Sequence, residues 1–223
     1  MTRKIVIFGT GGNCVDILDT IHDINASAGE PIYDCIGFLD DDRRLWNQLV
    51  AGIPVLGGLS MAPALTDSFF VNGIGSERNF WRKPEIIAQA GIPDDRFETI
   101  IHPTASVSRS ACLESGVVVL PQVTIASRAH VGRHVIILPN TIISHDDIIG
   151  DFTCLAGGVC VSGQVNVGAC CYLGSNASII NGISIGSRSL VGIGSVVLHD
   201  VPENTVVVGN PAHFLRHTVE PSV

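Results

Sequence analysis

Two adjacent residues, His145 and Asp146, carry the clearest chemical signal in this 223-residue chain. An imidazole changes charge near neutral pH, so it can take a proton from an attacking nucleophile. A carboxylate beside it can hold the ring in the tautomer that leaves one nitrogen free to do so. Such a base is typically worth about 10²–10⁴-fold in rate. The other seven histidines, His22, His102, His130, His134, His199, His213 and His217, are read as groups that do no chemistry. His130 and His134 raise the alternative of a zinc site, which needs three ligands converging from different elements.

A second signal lies at the N-terminus. Lys4-Ile5-Val6-Ile7-Phe8 reads as a buried strand, Gly9-Thr10-Gly11-Gly12-Asn13 as a turn, and Val15 to Ile21 has helical apolar spacing. A glycine turn opening a helix aims backbone N–H groups at an anion, so Gly11, Gly12 and Asn13 are candidates for contact with a phosphate. The dinucleotide fingerprint needs glycine where Cys14 stands, which argues against NAD. A second strand, Cys35 to Leu39, runs into Asp40-Asp41-Asp42. Carboxylates at the C-terminal end of a parallel strand can accept hydrogen bonds from a sugar or base, although an acidic turn would look the same. A third strand begins at Phe69 and reaches the turn at Gly73-Ile74-Gly75-Ser76, and Arg78 to Ala90 reads as a helix despite Pro84. A small α/β unit is expected over residues 1–99.

The composition suits small-molecule chemistry. Thirteen basic against 21 acidic residues give a net charge of −8, which disfavours nucleic acid and anionic membrane surfaces. Hydrophobic residues make up 46% against 15% charged, enough for a packed core and too ordered a mix for a disordered chain. With 5% aromatics and 24 glycines, thin stacked layers fit better than a core of large rings. Seven cysteines, odd in number and without a C-x-x-C pair, read as reduced thiols. The opening apolar run is short and no long apolar stretch follows, so a cytoplasmic protein without a membrane span is expected.

Repetition sets the architecture of the remainder. Steps of six from Ile101 land on Val107, Leu113, Val119, Ile125, Val131, Ile137, Ile143, Ile149, Leu155, Val161, Val167, Leu173, Ile179, Ile185, Val191 and Val197, with no polar residue and no slip of phase. The position four further on is mostly small or Val, as at Ala105, Ala111, Val117, Val123 and Ala129. One large and one smaller inward residue per hexad is the unit of a parallel β-helix, three hexads to a triangular coil. Asn166, Asn176 and Asn181 are candidates for the corner conformations with positive φ. Leu173→Asp should break a coil. His145 takes the third place in its hexad, outside or at a corner, and Asp147 breaks the small-or-Val rule there. His130 and His134 fall at different hexad positions, which weakens the zinc alternative, and no metal is expected.

The hexads, with Val208-Gly209-Asn210-Pro211-Ala212, resemble the bacterial hexapeptide-repeat acyltransferases. Within them the chain resembles the sialic-acid O-acetyltransferase type and the nucleotide-aminosugar N-acetyltransferases. The landmarks are Gly9-Thr10-Gly11-Gly12, Gly37-Phe38-Leu39-Asp40-Asp41, Ile101-His102-Pro103 and Ser144-His145-Asp146. The resemblance implies an α/β Rossmann-like domain over 1–99, holding a sugar or nucleotide-sugar acceptor, and a left-handed β-helix over 100–223. The helix would form homotrimers and bind acetyl-CoA between subunits. It also implies that His145 is the general base and that Asp146 orients it.

The implied acceptor contacts are Gly11, Gly12, Asn13, Asp40, Asp41 and Gly75, so Asp41→Ala should chiefly raise the acceptor KM. Implied acetyl-CoA contacts are Cys154, Gly174, Ser175, Gly192, Gly194, Ser195 and Pro211, with Arg188 or Arg216 available for phosphate. Ordinary corner residues would look the same. Two places depart from the family pattern: Cys154 stands where a second histidine usually approaches the acetyl carbonyl, and Asn13-Cys14 where a histidine usually lies near the nucleotide sugar. The implied reaction is acetylation of a 4-amino group on a nucleotide-linked sugar for surface glycans. O-acetylation of a sialic-acid-like sugar, or a sugar-binding β-helix without catalysis, are the alternatives.

Overall fold

The computed structural model describes residues 2–218. In its N-terminal part, strands β1 (Arg3–Phe8), β2 (Tyr33–Leu39), β4 (Ile53–Gly57) and β5 (Ser68–Asn72) form a parallel sheet, and β3 (Leu49–Val50) adds an antiparallel edge. The strand order β3-β4-β2-β1-β5 puts β1 at the centre, so the loop after β1 opens at the C-terminal edge of the sheet, where an α/β sheet binds ligands. Helix α1 (Gly12–Ala28) follows that loop and is stopped by Gly29 at φ +74°. The short β3–β4 hairpin does not announce itself in the sequence, because Pro54 interrupts an already brief apolar run. The helix expected over Arg78 to Ala90 is shorter, a 3₁₀ turn at Phe80–Arg82 followed by α2 (Lys83–Ala88), with Pro84 in its first turn.

From Ile100 to Val197 the described residues form seventeen two-residue strands, each six residues beyond the last. Every strand pairs in parallel with the one eighteen residues away, as Thr124 with Ile142 and Ile125 with Ile143. Three hexads therefore make one coil, and the chain is a left-handed parallel β-helix behind a Rossmann-like sheet. The inward aliphatics stack into one core: Ile125, Val131, Ile137, Ile143, Ile149, Leu155, Val161, Val167 and Leu173 are all at most 1% exposed. The first coil is the exception, with Ile101 39% exposed and Val107 and Leu113 partly buried, since no coil lies above it. At the other end, β23 (Thr205–Val208) and β24 (His213–His217) pair antiparallel and continue one face.

The left-handed corner conformation falls mainly on residues other than those expected. Asn176 adopts it at φ +58°, as do Gln122, Arg128, His134, Asn140, Asp146, Phe152, Gln164 and Arg188. Asn166 lies in a strand, and beside Asn181 it is Gly182 that takes the turn.

One face of the prism differs from the other two. Its outward residues Ile100, Val118, Ile136 and Cys154 are fully buried, packed in one cluster with Ile17, Leu18 and Ile21 of α1. The corresponding residues elsewhere include Ser106, Thr124, Asn166, Ser178 and Ser184. Polar ties reinforce this seam. Enclosed Lys83 donates from Nζ to the His134 carbonyl at 3.0 Å. His102 Nδ1 accepts the Thr104 N–H at 3.0 Å, which leaves Nε2 to donate to Asp23 at 2.9 Å. The α/β unit is thereby fixed to the β-helix along α1.

Candidate active site

Two regions gather the candidate residues, and each is built by local chain geometry. The first is a cleft of about 420 Å³ above the sheet's C-terminal edge. Gly9 turns at φ +91°, and a Cβ there would lie 2.9 Å from both Cys14 Sγ and Ile74, so only glycine permits the turn. The chain then enters α1 without a side-chain cap, and Gly11 and Gly12 present open backbone to the cleft. The first amides of a helix have no partner within it, so this is an anion-binding arrangement. Asn13 donates from Nδ2 to the Gly75 carbonyl at 3.1 Å, joining the two loops that border the cleft. Cys14 is turned inward, and burial pushes its thiol up to about 12, which makes it an inert packing group.

Of the three aspartates, only Asp40 lines the cleft. Thr10 donates to its Oδ2 at 2.7 Å, and its Oδ1 accepts the Asp42 N–H at 2.9 Å. Asp41 is engaged elsewhere: its Oδ1 accepts the Leu59 N–H at 2.9 Å, at the start of the 3₁₀ helix Leu59–Ala64. That bond overturns the expectation for Asp41. Asp41→Ala should cost about 1 kcal/mol, a fall in Tm of about 2–4 °C, with an unchanged acceptor KM. Asp40→Ala should instead raise that KM on the order of tenfold, because it removes ground-state contact remote from the reacting atoms. Steady-state kinetics and thermal melts of the two variants check both statements.

The cleft also takes Ser76, Glu77, Asn79 and, from the β-helix, Leu138 and Tyr172. Tyr172 was findable in principle: it stands eighteen residues after Cys154 on the apolar outward face.

The second region is the prism edge bearing His145. Its side chain is 55% exposed, and Asp146 beside it adopts the left-handed corner at φ +63°. Asp146 Oδ2 lies 2.8 Å from His145 Nδ1. Arg128, at the same corner one coil earlier, donates to Asp146 from Nε at 2.6 Å and Nη2 at 2.8 Å. This guanidinium, with the imidazole, holds the Asp146 carboxyl well below the usual carboxylate range. An ionised Asp146 favours the proton on Nδ1, which leaves the lone pair of a neutral ring on Nε2, the nitrogen beside Gly163. Hexad arithmetic did not single out Arg128, whose link to Asp146 runs at the coil period of eighteen.

Gly163 was missed for the same reason, one coil later. A Cβ at that position would stand 2.7 Å from His145 Cε1 and Nε2, so the imidazole rests where any larger residue would displace it. Gly163→Ala should leave the fold intact and lower kcat on the order of 10- to 100-fold by tilting the base. A kcat equal to that of the parent protein would show that the ring does not act from this position.

The residues proposed for acetyl-CoA separate into two groups. Ser175 and Gly194 stack on one corner, joined by a Gly194 N–H bond to the Ser175 carbonyl at 2.8 Å, and Pro211 is exposed beyond the next strand. Gly174 and Gly192 are buried between coils. Ser195 is fully buried, its Oγ accepting the Gly209 N–H at 3.1 Å, which makes it a staple for the C-terminal hairpin. Cys154 is enclosed in the seam between α1 and the β-helix, so CoA could reach it only if the two units parted. These two places correct the readings of Ser195 and Cys154 as cofactor contacts. The Ser175–Gly194 corner and the His145 corner lie on different edges of the prism.

The histidines of the zinc alternative do not converge. His130 Nε2 is 2.9 Å from Glu114 Oε1, whereas His134 is enclosed between Phe97 and Phe152, and its burial pushes the ring down to about 4. Among the described residues no group of three or more His, Cys, Asp or Glu could hold a metal ion, and no helix is long and apolar enough to cross a membrane.

Comparison with known proteins finds the same fold elsewhere. Residues 4–83 match the family described as the PglD N-terminal domain. PerB from Caulobacter crescentus, solved with CoA and GDP-perosamine, is similar at TM-score 0.80 and 29% identity, over 96% of this chain and 97% of that one. The acetyltransferase domain of PglB from Neisseria gonorrhoeae has the same fold at TM-score 0.82 and 24% identity, over 96% and 100%. Among curated proteins, serine acetyltransferase 2 of Arabidopsis thaliana is 53% identical over 38 residues, 17% of this chain and 12% of that protein. A putative acetyltransferase of Saccharomyces cerevisiae is 48% identical over 42 residues, 19% and 21%. The chain thus matches about a fifth or less of the length of these curated relatives.

Proposed function

We propose that this chain, whose sequence and fold are similar to those of the bacterial nucleotide-sugar N-acetyltransferases, transfers the acetyl group of acetyl-CoA to the 4-amino group of a nucleotide-linked sugar. The observation that carries the reading is the Arg128–Asp146–His145 relay on a prism edge where the His145 side chain is 55% exposed. It stands in a chain that superposes along nearly its whole length on a protein solved with CoA and GDP-perosamine.

In this reading residues 1–99 hold the acceptor. The open amides at Gly11 and Gly12 receive its diphosphate, and Asp40 accepts a hydrogen bond from its sugar or base. Residues 100–223 hold the donor. The neutral amine attacks the thioester carbon, the carbonyl oxygen becomes an oxyanion stabilised by backbone N–H groups, and His145 Nε2 takes the amine proton. The C–S bond then breaks, CoA leaves as a thiolate, and the proton returns from the imidazolium to sulfur or solvent.

The likeness to PerB supports acetyl-CoA as the co-substrate. A homotrimer is part of the same proposal: the His145 edge of one copy would meet the Ser175–Gly194–Pro211 edge of the next. Ile142 and Ile148, 42% and 48% exposed on the strands either side of His145, give that edge an apolar contact surface. A nucleotide-sugar acceptor fits a cytoplasmic step in surface-glycan synthesis.

The test is thiol release from acetyl-CoA with UDP-, GDP- and dTDP-linked 4-amino sugars and with free and CMP-linked sialic acids. Turnover with an amino sugar supports the proposal and names the acceptor. Turnover confined to hydroxyl acceptors would replace it by O-acetylation.

A further inference from the structure

One buried group beside the base has no part in the relay just described. Along the strands that follow the His145 edge, the first inward residue of each coil is apolar: Ala111, Ala129 and Val165. In the coil that carries His145 this place belongs to Asp147, which is fully buried in the prism. Its Oδ2 accepts the N–H of Ser144, the residue before His145, at 2.8 Å, and its Oδ1 accepts the N–H of Val165, in the next coil, at 2.9 Å. Burial pushes its carboxyl up to about 6 in spite of these two bonds.

A charge is not needed to close such a corner. Six residues on, Thr153 does the equivalent work with a hydroxyl, accepting the Cys171 N–H at 3.0 Å and donating to the Gly168 carbonyl at 3.0 Å. The two pairings, 147 with 165 and 153 with 171, have the same eighteen-residue span. Thr141 and Ser189 fill further inward corners, also neutral. A carboxylate in an aliphatic core carries a desolvation cost that these hydroxyls avoid.

We infer that Asp147 is a positioning residue for His145, clamping the backbone from which the imidazole projects and placing a fixed negative charge on its inner side. The relay of Asp146 and Arg128 fixes the ring from outside the prism, and Asp147 fixes its main chain from inside. When Nε2 takes the proton, the imidazolium then lies between two carboxylates. The other residues packed on Asp147 from the adjoining coils, Ala129 and Val165, are uncharged. The inference rests on the reading of His145 as the general base.

Asp147→Thr tests it, because it copies the Thr153 corner and removes only the charge and the second acceptor. The expected result is a trimer with an unchanged melting temperature, KM values for acetyl-CoA and acceptor within about threefold of the parent, and kcat lowered on the order of 10- to 100-fold. A folded variant with parental kcat would overturn the inference and leave Asp147 as a corner filler. Asp147→Asn, closer in shape, is measured alongside. If neither variant folds, the residue is structural and the inference also fails. His145→Ala in the same assay separates the two readings: parental turnover there would refute the base itself, whereas an inactive His145→Ala beside a fully active Asp147→Thr would refute only the role of Asp147.

Discussion

His145→Ala should retain the fold and acetyl-CoA binding while losing turnover by at least about a hundredfold, within the range expected when a general base is removed. The side chain lies on an exposed edge and contributes nothing to the inward ladders, so its removal leaves the core untouched. What disappears is the imidazole whose Nδ1 is held by the ionised Asp146 carboxylate, leaving the lone pair on Nε2. Asp146→Asn should be less severe, because Arg128 and the corner remain while the tautomer is no longer imposed. Thiol release measured under single-turnover conditions separates a loss of chemistry from a loss of binding.

Leu173→Asp should have the largest effect on stability. Leu173 is 0% exposed in the ladder that includes Leu155 and Val191, and its neighbours in the core are aliphatic. Truncating such a residue typically costs about 3–5 kcal/mol through the cavity alone. A carboxylate there adds desolvation with no partner to offset it. Because each coil is supported only by its neighbours, the loss should propagate along the prism and abolish the cooperative melt. Leu173→Met, which conserves volume, should cost less than about 1.5 kcal/mol and serves as the control. Circular dichroism melts of both variants decide the matter.

The repeat made most of the fold legible. An unbroken aliphatic register from Val107 to Val197 can be satisfied only by short strands meeting at regular corners, and each of those residues lies inward. The glycine turn before α1 and the carboxylate at Asp40 were legible on the same terms, since strand, turn and helix each impose a local pattern. What the hexads hide is the period of eighteen. Treating every six residues alike makes the three faces equivalent, although Val118, Ile136, Cys154 and Tyr172 already spell an apolar stripe at eighteen-residue spacing. Read at that period, Cys154 belongs to the seam with α1, Arg128 stands above Asp146, and Gly163 stands below His145. Asp41 and Ser195 were misplaced for a different reason. Their partners, the N–H groups of Leu59 and Gly209, come from elements whose position no local pattern supplies.

The central claim is that His145 promotes acetyl transfer to an amino sugar, and the most direct measurement is the mass of the sugar product. The parent protein and His145→Ala are incubated with acetyl-CoA and a nucleotide-linked 4-amino sugar, and the sugar is analysed for one added acetyl group on nitrogen. Complete conversion by the parent and only traces with the variant over the same time are expected. Equal conversion by both would contradict that claim.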